Sequence, residues 1–178
     1  MKPDYCSVTY GAGGSTREKT IGIVDRIQRQ HGLTSMMHLT CVNSTRDQLR
    51  EVVEDARARG IDNILALRGD PPGGAGPWVP VEGGFTYSSE LVAFLRSLGG
   101  FCIGTAGFPE GHIAQEKGKL VDWQFLGEKI AAGAEFVITQ LFFDNDDYYR
   151  FVAHMTEKLG VRVPIIPCLL YTSDAADE

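Results

Sequence analysis

The sequence predicts an α/β fold, a partial (β/α)8 barrel with about six parallel strands and five helices. Short apolar runs recur at steady intervals along the 178 residues. Segments with the helical spacing of apolar residues separate these runs, so strands and helices are expected to alternate. Polar residues gather at the carboxyl end of nearly every run, where barrel enzymes assemble their active sites. These three observations favour a parallel sheet with helices outside it and chemistry at one end.

Each apolar run is too short for a helix and is bounded by glycine, proline or charged residues. Such runs are typical of strands that are buried on both faces. The predicted strands are residues 6–9, 36–40, 63–67, 101–105, 136–139 and 163–166. Because strand–helix–strand units of parallel sheets are right-handed, the six runs predict one continuous sheet.

Capping signals support the helices between the strands. Thr45 and Gln48 fit the capping box, in which two side chains satisfy amide groups at the start of a helix. Ser15 and Glu18 have the same spacing before the first helix. Glycines mark the expected helix ends, because glycine readily adopts the left-handed conformation found there. They are Gly32, Gly60, Gly99, Gly133 and Gly160.

An open, doubly wound sheet is the alternative to a barrel. It would require a glycine fingerprint that opens the first helix, and the nearest segment, residues 11–16, lacks the third glycine. That segment also lacks the basic residue of a phosphate loop, so we interpret it as a tight turn. A complete barrel needs about 250 residues. Residues 1–167 are therefore predicted to form an incomplete barrel domain.

The composition restricts the class of function. The net charge of −6 argues against nucleic acid or an anionic membrane surface as a partner. No run approaches the roughly 18 apolar residues of a membrane span, and the N-terminus lacks the apolar run of a signal peptide. The four cysteines are far apart in the sequence, so we interpret them as buried free thiols of a cytoplasmic protein.

Five segments at the strand ends carry polar residues that could take part in binding or catalysis. They are residues 9–12, 38–41, 68–70, 107–112 and 139–140. Together they offer histidines, an arginine, a carboxylate, an amide and several hydroxyls, without metal-ligand spacing or a serine nucleophile elbow. This set suits a polar, partly anionic ligand with a carboxylate near the reacting centre.

Each candidate residue also has a structural interpretation. Arg68 and Asp70 could form an ion pair that closes a strand, and His38 could be a core histidine. Gln140 could bond to the backbone at the rim. Asp122 and Lys129, seven residues apart on one helix face, could belong to a solvated surface.

The order and spacing of five segments distinguish between these interpretations. They are residues 8–12, 38–41, 66–71, 108–112 and 133–144, among which Leu-Arg-Gly-Asp and the last segment are the most specific. Over residues 4–167 the chain closely resembles the methylenetetrahydrofolate reductase family. The resemblance implies a (β/α)8 barrel of which the first and last strands are missing here.

The resemblance implies a flavoenzyme of one-carbon metabolism with FAD as its cofactor. NADH or NADPH would reduce the flavin, and methylenetetrahydrofolate would then be reduced to 5-methyltetrahydrofolate on the same flavin face. Asp70 would stabilise a cationic folate iminium, and Gln140 would bond to the pterin and also meet the nicotinamide, so both are implied to be catalytic. Thr9, Asp70 and Gln140 are the implied substrate contacts. The implied cofactor contacts are Thr9, Tyr10, Ala12, His38, Arg68, Gly69, Asp70, Tyr87, Ser88, Phe108, His112, Asp122 and Lys129.

The chain departs from the family pattern at several places. Phe108 stands where many relatives have tyrosine, and Ser88 where alanine is common. The family's first strand, which carries a general-acid glutamate, does not precede Tyr5. Residues 168–178 have the character of a translated sequencing adapter, a non-native tail. We therefore expect an internal fragment without folate reductase activity of its own, from a homo-oligomeric parent.

Two other classes of function stay open. A non-catalytic half-barrel that binds flavin or folate would bind FAD without transferring hydride. An unrelated barrel lyase or aldolase would need a Schiff-base lysine at a strand end, and every lysine is predicted to lie in a helix, loop or tail.

Overall fold

The computed structural model describes residues 3–10, 17–70, 79–113 and 115–169. Ala12 and the predicted cap at Ser15 lie outside this part of the chain. The strands are β1 Tyr5–Val8, β2 Thr34–Thr40, β3 Asn63–Leu67, β4 Cys102–Gly107, β5 Phe136–Thr139 and β6 Ile165–Ile166. The helices are α1 Arg17–His31, α2 Arg46–Ala58, α3 Ser88–Leu98, α4 Lys119–Ala131 and α5 Asn145–Ala153, which continues into a π-helical turn, His154–Lys158.

The six strands form one parallel sheet in the order of the chain. Each strand pairs with the next, as in the wall of a barrel. This curled half-barrel confirms the predicted partial barrel. The last strand is shorter than predicted and contains only Ile165 and Ile166. Pro164 has no amide hydrogen, and its carbonyl accepts a hydrogen bond from the Val137 amide at 2.9 Å.

The main hydrophobic core lies between the sheet and its helices. Met37 and Leu39 of β2 are fully buried in one cluster with Leu49 and Val53 of α2 and Ile64 of β3. A second, smaller cluster joins α4, β5 and α5 and contains Trp123, Leu126, Val137, Phe151, Met155 and Val161. Burying each large apolar side chain contributes about 1.5–3 kcal/mol, so these two clusters hold the helices against the strands.

The capping predictions agree with the structure wherever it describes them. The Thr45 amide donates to Gln48 Oε1 at 3.0 Å, and the Gln48 amide donates to Thr45 Oγ1 at 3.3 Å, which completes the capping box of α2. The five glycines that were expected to end helices all have positive φ, from +62° at Gly32 to +123° at Gly133. The sequence therefore predicts the helix ends correctly.

The π-helical turn after α5 is absent from the sequence prediction, which indicates only a helix. The Leu159 amide bonds to the carbonyl of His154, five residues earlier, at 3.2 Å. The Thr156 hydroxyl donates to the Val152 carbonyl at 2.9 Å. A hydroxyl that bonds to the preceding turn competes with the backbone ladder, which accounts for the wider turn at this point.

The cysteines agree only in part with their prediction. All four are free, and Cys41 is buried. Cys6, Cys102 and Cys168 are only partly buried, so the prediction that all four are buried is wrong. Cys6 lies in β1 and Cys168 follows β6, the two edge strands of the described sheet, where one flank has no neighbouring strand. Among the described helices, none has the length and apolar character to cross a membrane.

Candidate functional site

Most of the predicted site residues lie at one end of the half-barrel. Thr9 follows β1, Arg68 follows β3, Phe108 follows β4 and Gln140 follows β5, while His38 lies within β2. Because all six strands are parallel, their carboxyl ends lie at the same edge of the sheet. A cavity of about 280 Å³ opens at the opposite end, lined by Tyr5, Thr34, Met36, Asn63, Phe136 and Ile166, and none of the predicted residues lines it.

His38 faces away from the helices. Its neighbours Met37 and Leu39 are fully buried in the core between sheet and helices, and side chains alternate along a strand. The His38 ring therefore points to the inner face of the half-barrel, in register with Leu65 of β3. His38 is partly buried, and burial lowers the pKa of its imidazole. At neutral pH the ring is uncharged and offers one donor and one acceptor.

The backbone at the end of β3 passes close to β2. Gly69 has φ +85°, and a Cβ atom there would lie 2.6 Å from Val42 Cγ1. The Val42 amide donates to the Arg68 carbonyl at 2.9 Å, which fixes this approach. Arg68 Nε donates to the Gly69 carbonyl at 3.3 Å, and Asp70 is exposed. Within the described residues Arg68 and Asp70 form no ion pair, so that structural interpretation does not hold.

Four predicted residues come together between β4 and α4. The rings of Phe108 and His112 meet edge to face, with centroids 4.7 Å apart. The His112 amide donates to Asp122 Oδ2 at 3.3 Å. Lys129 Nζ donates to the Ala106 carbonyl of β4 at 2.9 Å. His112 thus contacts both Phe108 and Asp122, and the Lys129 side chain extends from α4 to β4.

Burial governs the charges of this group. Burial raises the pKa of the Asp122 carboxyl, while Lys129 and His112 favour its charged form. Burial also lowers the pKa of Lys129 to about 8, and Asp122 acts in the opposite direction. Both side chains are partly buried, so the interpretation as a solvated helix face is wrong. A desolvated ammonium gains free energy when an anion lies next to it, and here the Asp122 carboxylate already supplies part of that stabilisation.

The other predicted residues are more dispersed. Thr9 is exposed, and its carbonyl accepts a hydrogen bond from the Thr20 hydroxyl at 3.0 Å. Tyr10 is 7% exposed and belongs to the core between sheet and helices. Tyr87 is exposed just before α3, and Ser88 begins that helix.

Gln140 lies at the rim. The main-chain amide of Gln140 donates to the Gly107 carbonyl at 2.7 Å, and the residue is exposed. The backbone bond anchors the main chain to β4 and leaves the side-chain amide available for a ligand.

Comparison with known proteins identifies the family. A sequence profile of the methylenetetrahydrofolate reductase family matches residues 1–176. The chain belongs to the methylenetetrahydrofolate reductase family. It is 40% identical to methylenetetrahydrofolate reductase (NADH) 1 of Arabidopsis thaliana, over 97% of this chain and 31% of that protein. It is also 40% identical to 5,10-methylenetetrahydrofolate reductase of Pectobacterium carotovorum, over 98% of this chain and 56% of that protein. The chain thus spans between about a third and about half of these curated relatives.

Solved structures with low sequence identity share the fold. An oxaloacetate acetylhydrolase superposes with a TM-score of 0.60 at 10% identity, over 98% of this chain and 70% of that one. A Clostridium thermocellum protein, described as binding two copies of 5-methyl-5,6,7,8-tetrahydrofolic acid, superposes with a TM-score of 0.52 at 15% identity, over 92% of this chain and 64% of that one. At such identities the likeness concerns the fold alone, a barrel-like parallel sheet.

One residue at this edge of the methylenetetrahydrofolate reductase fold was missed among the predicted site residues. Glu110 accepts a hydrogen bond from the Phe143 amide at 3.1 Å and so connects two neighbouring loops. A carboxylate between Pro109 and Gly111, within a strand-end segment, was the available signal. The partner amide lies 33 residues away, and no sequence pattern indicates that pairing.

Proposed function

We propose that the protein to which this chain belongs reduces 5,10-methylenetetrahydrofolate to 5-methyltetrahydrofolate, with FAD as cofactor and NADH or NADPH as hydride donor. Membership in the family supports the substrate class. The observation that carries the proposal is the partly buried Asp122–Lys129 pair, whose ammonium bonds to Ala106 near the end of β4, at the same sheet edge as Asp70 and Gln140. A site for an anionic cofactor and polar groups for a heterocycle thus lie at one opening.

The residues around Lys129 fit the diphosphate and ribose half of FAD. The Lys129 ammonium and the His112 ring supply positive charge or hydrogen-bond donors for phosphate oxygens. Asp122 can accept hydrogen bonds from ribose hydroxyls. Arg68 adds a guanidinium at the end of β3. Gly69, against which the Val42 side chain packs, is proposed to contact the cofactor through its main chain. Tyr87 and Ser88, at the start of α3, are proposed to contact the same half of the cofactor.

The residues nearer β1 and β2 are proposed to contact the flavin ring, which supplies two-electron hydride chemistry when it is bound. His38 presents a neutral imidazole to the inner face, and Phe108, which follows β4, presents an aromatic surface from the other side of the site. Thr9 is exposed at the end of β1, whereas the buried ring of Tyr10 leaves its main chain for contact. Ala12 stays a predicted contact outside the described residues.

Asp70 and Gln140 are proposed to act on the substrate. Asp70 is exposed and can place a carboxylate beside a cationic folate, which lowers the free energy of the charge that develops before hydride arrives. The Gln140 amide can donate to and accept from the edge of the pterin at the same time. Both residues would orient a polar heterocycle next to a flavin that His38 and Phe108 would help to hold.

Titration and turnover together test this function. We expect FAD fluorescence to be quenched when the chain is added, and NAD(P)H–menadione turnover to require FAD. Quenching without turnover would favour the non-catalytic half-barrel that binds flavin or folate. No quenching and no turnover would contradict the proposal.

The chain alone is proposed to lack the folate step. Within the described residues, β1 and β6 each pair on one side only, so the inner face of the half-barrel stays open. An open site admits water and leaves strand edges unpaired, both of which disfavour a precisely held substrate. Appreciable formation of 5-methyltetrahydrofolate by the purified 178-residue chain would overturn this part of the proposal. The division into a domain of residues 1–167 and a non-native tail of residues 168–178, the cytoplasmic location and the homo-oligomeric parent likewise stay predictions.

A further inference from the structure

A single carboxylate connects the loops that follow β4 and β5. Glu110 Oε1 accepts a hydrogen bond from the Phe143 amide at 3.1 Å. The first loop carries Phe108 and His112, two of the proposed FAD contacts, and the second carries Gln140, the proposed substrate contact. The Glu110–Phe143 hydrogen bond therefore joins the cofactor side of the site to its substrate side.

Glu110 is held firmly on its own loop. The Phe108 carbonyl accepts hydrogen bonds from the Gly111 amide at 3.0 Å and from Trp123 Nε1 at 2.9 Å. Gly111 has φ +86°, and a Cβ atom there would lie 2.8 Å from Lys119 Cβ. Since this turn is fixed to α4 on both sides of Glu110, the main chain from which the exposed Glu110 side chain extends has a defined position.

The loop after β5 has fewer contacts of its own near Phe143 than the loop of Glu110 has, so it depends on the Glu110 hydrogen bond. Its first residue, Gln140, is anchored to β4 through the main chain at 2.7 Å. Phe142 is buried and stacks on Tyr148 of α5, with ring centroids 5.0 Å apart. The main chain bends at Phe143, between Phe142 and the start of α5. The Phe143 side chain is 84% exposed and therefore contributes little packing to this bend. The Glu110 carboxylate thus holds the amide of a residue that the core does not hold.

We propose that Glu110 is a positioning residue, which keeps the residue 140–143 segment oriented so that the Gln140 amide faces a ligand on the flavin. This inference rests on the proposed function. Glu110 acts through the Phe143 amide and touches no reacting atom. Its loss is expected to weaken binding on the Gln140 side, while FAD stays held by Lys129 and His112.

The kinetic test compares Glu110→Ala with Glu110→Gln in the FAD-loaded chain. A glutamine oxygen can accept the same amide hydrogen, so Glu110→Gln should behave as the wild type within about twofold. Glu110→Ala should raise the KM for NADH in menadione turnover about tenfold, the loss expected for one hydrogen bond to a charged acceptor. It should leave kcat and the Kd for FAD within about twofold. Glu116→Ala, an exposed carboxylate of the same loop, is the matched control.

Two results would overturn the inference. One is an unchanged KM in Glu110→Ala, and the other is an equal rise in the Kd for FAD, which would indicate general disruption of the loop.

Hydrogen exchange provides a measurement that does not need flavin. In the chain without FAD, exchange at the Phe143 amide should accelerate about tenfold in Glu110→Ala and stay unchanged in Glu110→Gln and Glu116→Ala. Unchanged exchange in Glu110→Ala overturns the inference whatever the flavin result. Absence of FAD binding by the wild type would instead contradict the proposed function, so the two failures are distinguishable.

Discussion

Two regions of the site are organised in different ways. The α4 side, composed of Phe108, His112, Asp122 and Lys129, is connected by ring contacts, hydrogen bonds and partly buried charges. The β3 side, composed of His38, Arg68, Gly69 and Asp70, depends on a backbone hydrogen bond from Val42 to Arg68 and on the packing of the Val42 side chain against Gly69, and Asp70 is exposed. The α4 side is therefore pre-organised by side chains, whereas the β3 side is shaped by the main chain and leaves its carboxylate free to meet a ligand.

The largest effect is expected at Gly69 of the β3 side. Gly69→Ala places a Cβ atom in a left-handed backbone, 2.6 Å from Val42 Cγ1. Backbone strain of about 1–2 kcal/mol and overpacking of a similar size should lower the free energy of unfolding by about 3 kcal/mol. Urea denaturation measures this loss. Gly83→Ala is the control, because Gly83 has φ +74° with nothing within 4 Å, and it should cost only about 1 kcal/mol. Equal losses in the two variants would show that the close approach is unimportant.

Lys129 should decide cofactor affinity on the α4 side. Lys129→Met keeps the apolar stem and removes the charge, so the Kd for FAD should rise about tenfold or more. Fluorescence titration measures the Kd, and Lys158→Met, on the exposed end of the π-helical turn, serves as the control. Without FAD the free energy of unfolding should fall by about 1–3 kcal/mol, because Lys129→Met leaves the Ala106 carbonyl and the Asp122 carboxylate without their partner. An unchanged Kd for FAD would show that Lys129 does not contribute to binding the cofactor.

The pH dependence of stability should distinguish the α4 side from the rest of the chain. The pKa of Lys129 is about 8 in the folded chain, against 10.5 for an ordinary lysine. Between these values the unfolded chain binds a proton that the folded chain does not, so the free energy of unfolding should rise with pH. Relative to Lys129→Met, the free energy of unfolding should rise by about 2–3 kcal/mol between pH 7.5 and pH 10.5, as measured by urea denaturation at each pH. Parallel curves for the two proteins would contradict the buried position of the ammonium.

The smallest effect on stability is expected at Asp70 of the β3 side. Asp70→Asn removes an exposed charge, so the free energy of unfolding should change by less than about 0.5 kcal/mol. Asp122→Asn is the comparison on the α4 side. Because Asp122 is partly buried and accepts the His112 amide, its replacement should have a larger effect, of either sign. Equal effects would remove the contrast between the two sides.

Local rules explain why most of the fold could be predicted. The Thr45 capping box and the left-handed glycine at position 60 depend on a few neighbouring residues, so the sequence shows them directly. The π-helical turn and the short β6 depend on Thr156 and Pro164 acting within a packed structure, and periodicity alone does not reveal them.

The sequence predicts at which edge of the sheet the candidate residues lie, and their roles stay predictions. Arg68 follows β3 and Gln140 follows β5, as the strand-end positions indicate. The burial of the Asp122–Lys129 pair depends on how deeply α4 packs against β4, and one sequence gives no direct sign of that depth. The Glu110–Phe143 hydrogen bond joins residues 33 positions apart, so it follows from tertiary structure alone.

The consecutive order of the strands has a consequence for folding. Each strand pairs with its predecessor, so the sheet can lengthen by one strand and helix at a time as the chain leaves the ribosome. Such stepwise growth requires no distant segment to arrive before a new unit can dock. The same property leaves an extendable edge at each stage, which offers any later strand a template of backbone amides and carbonyls.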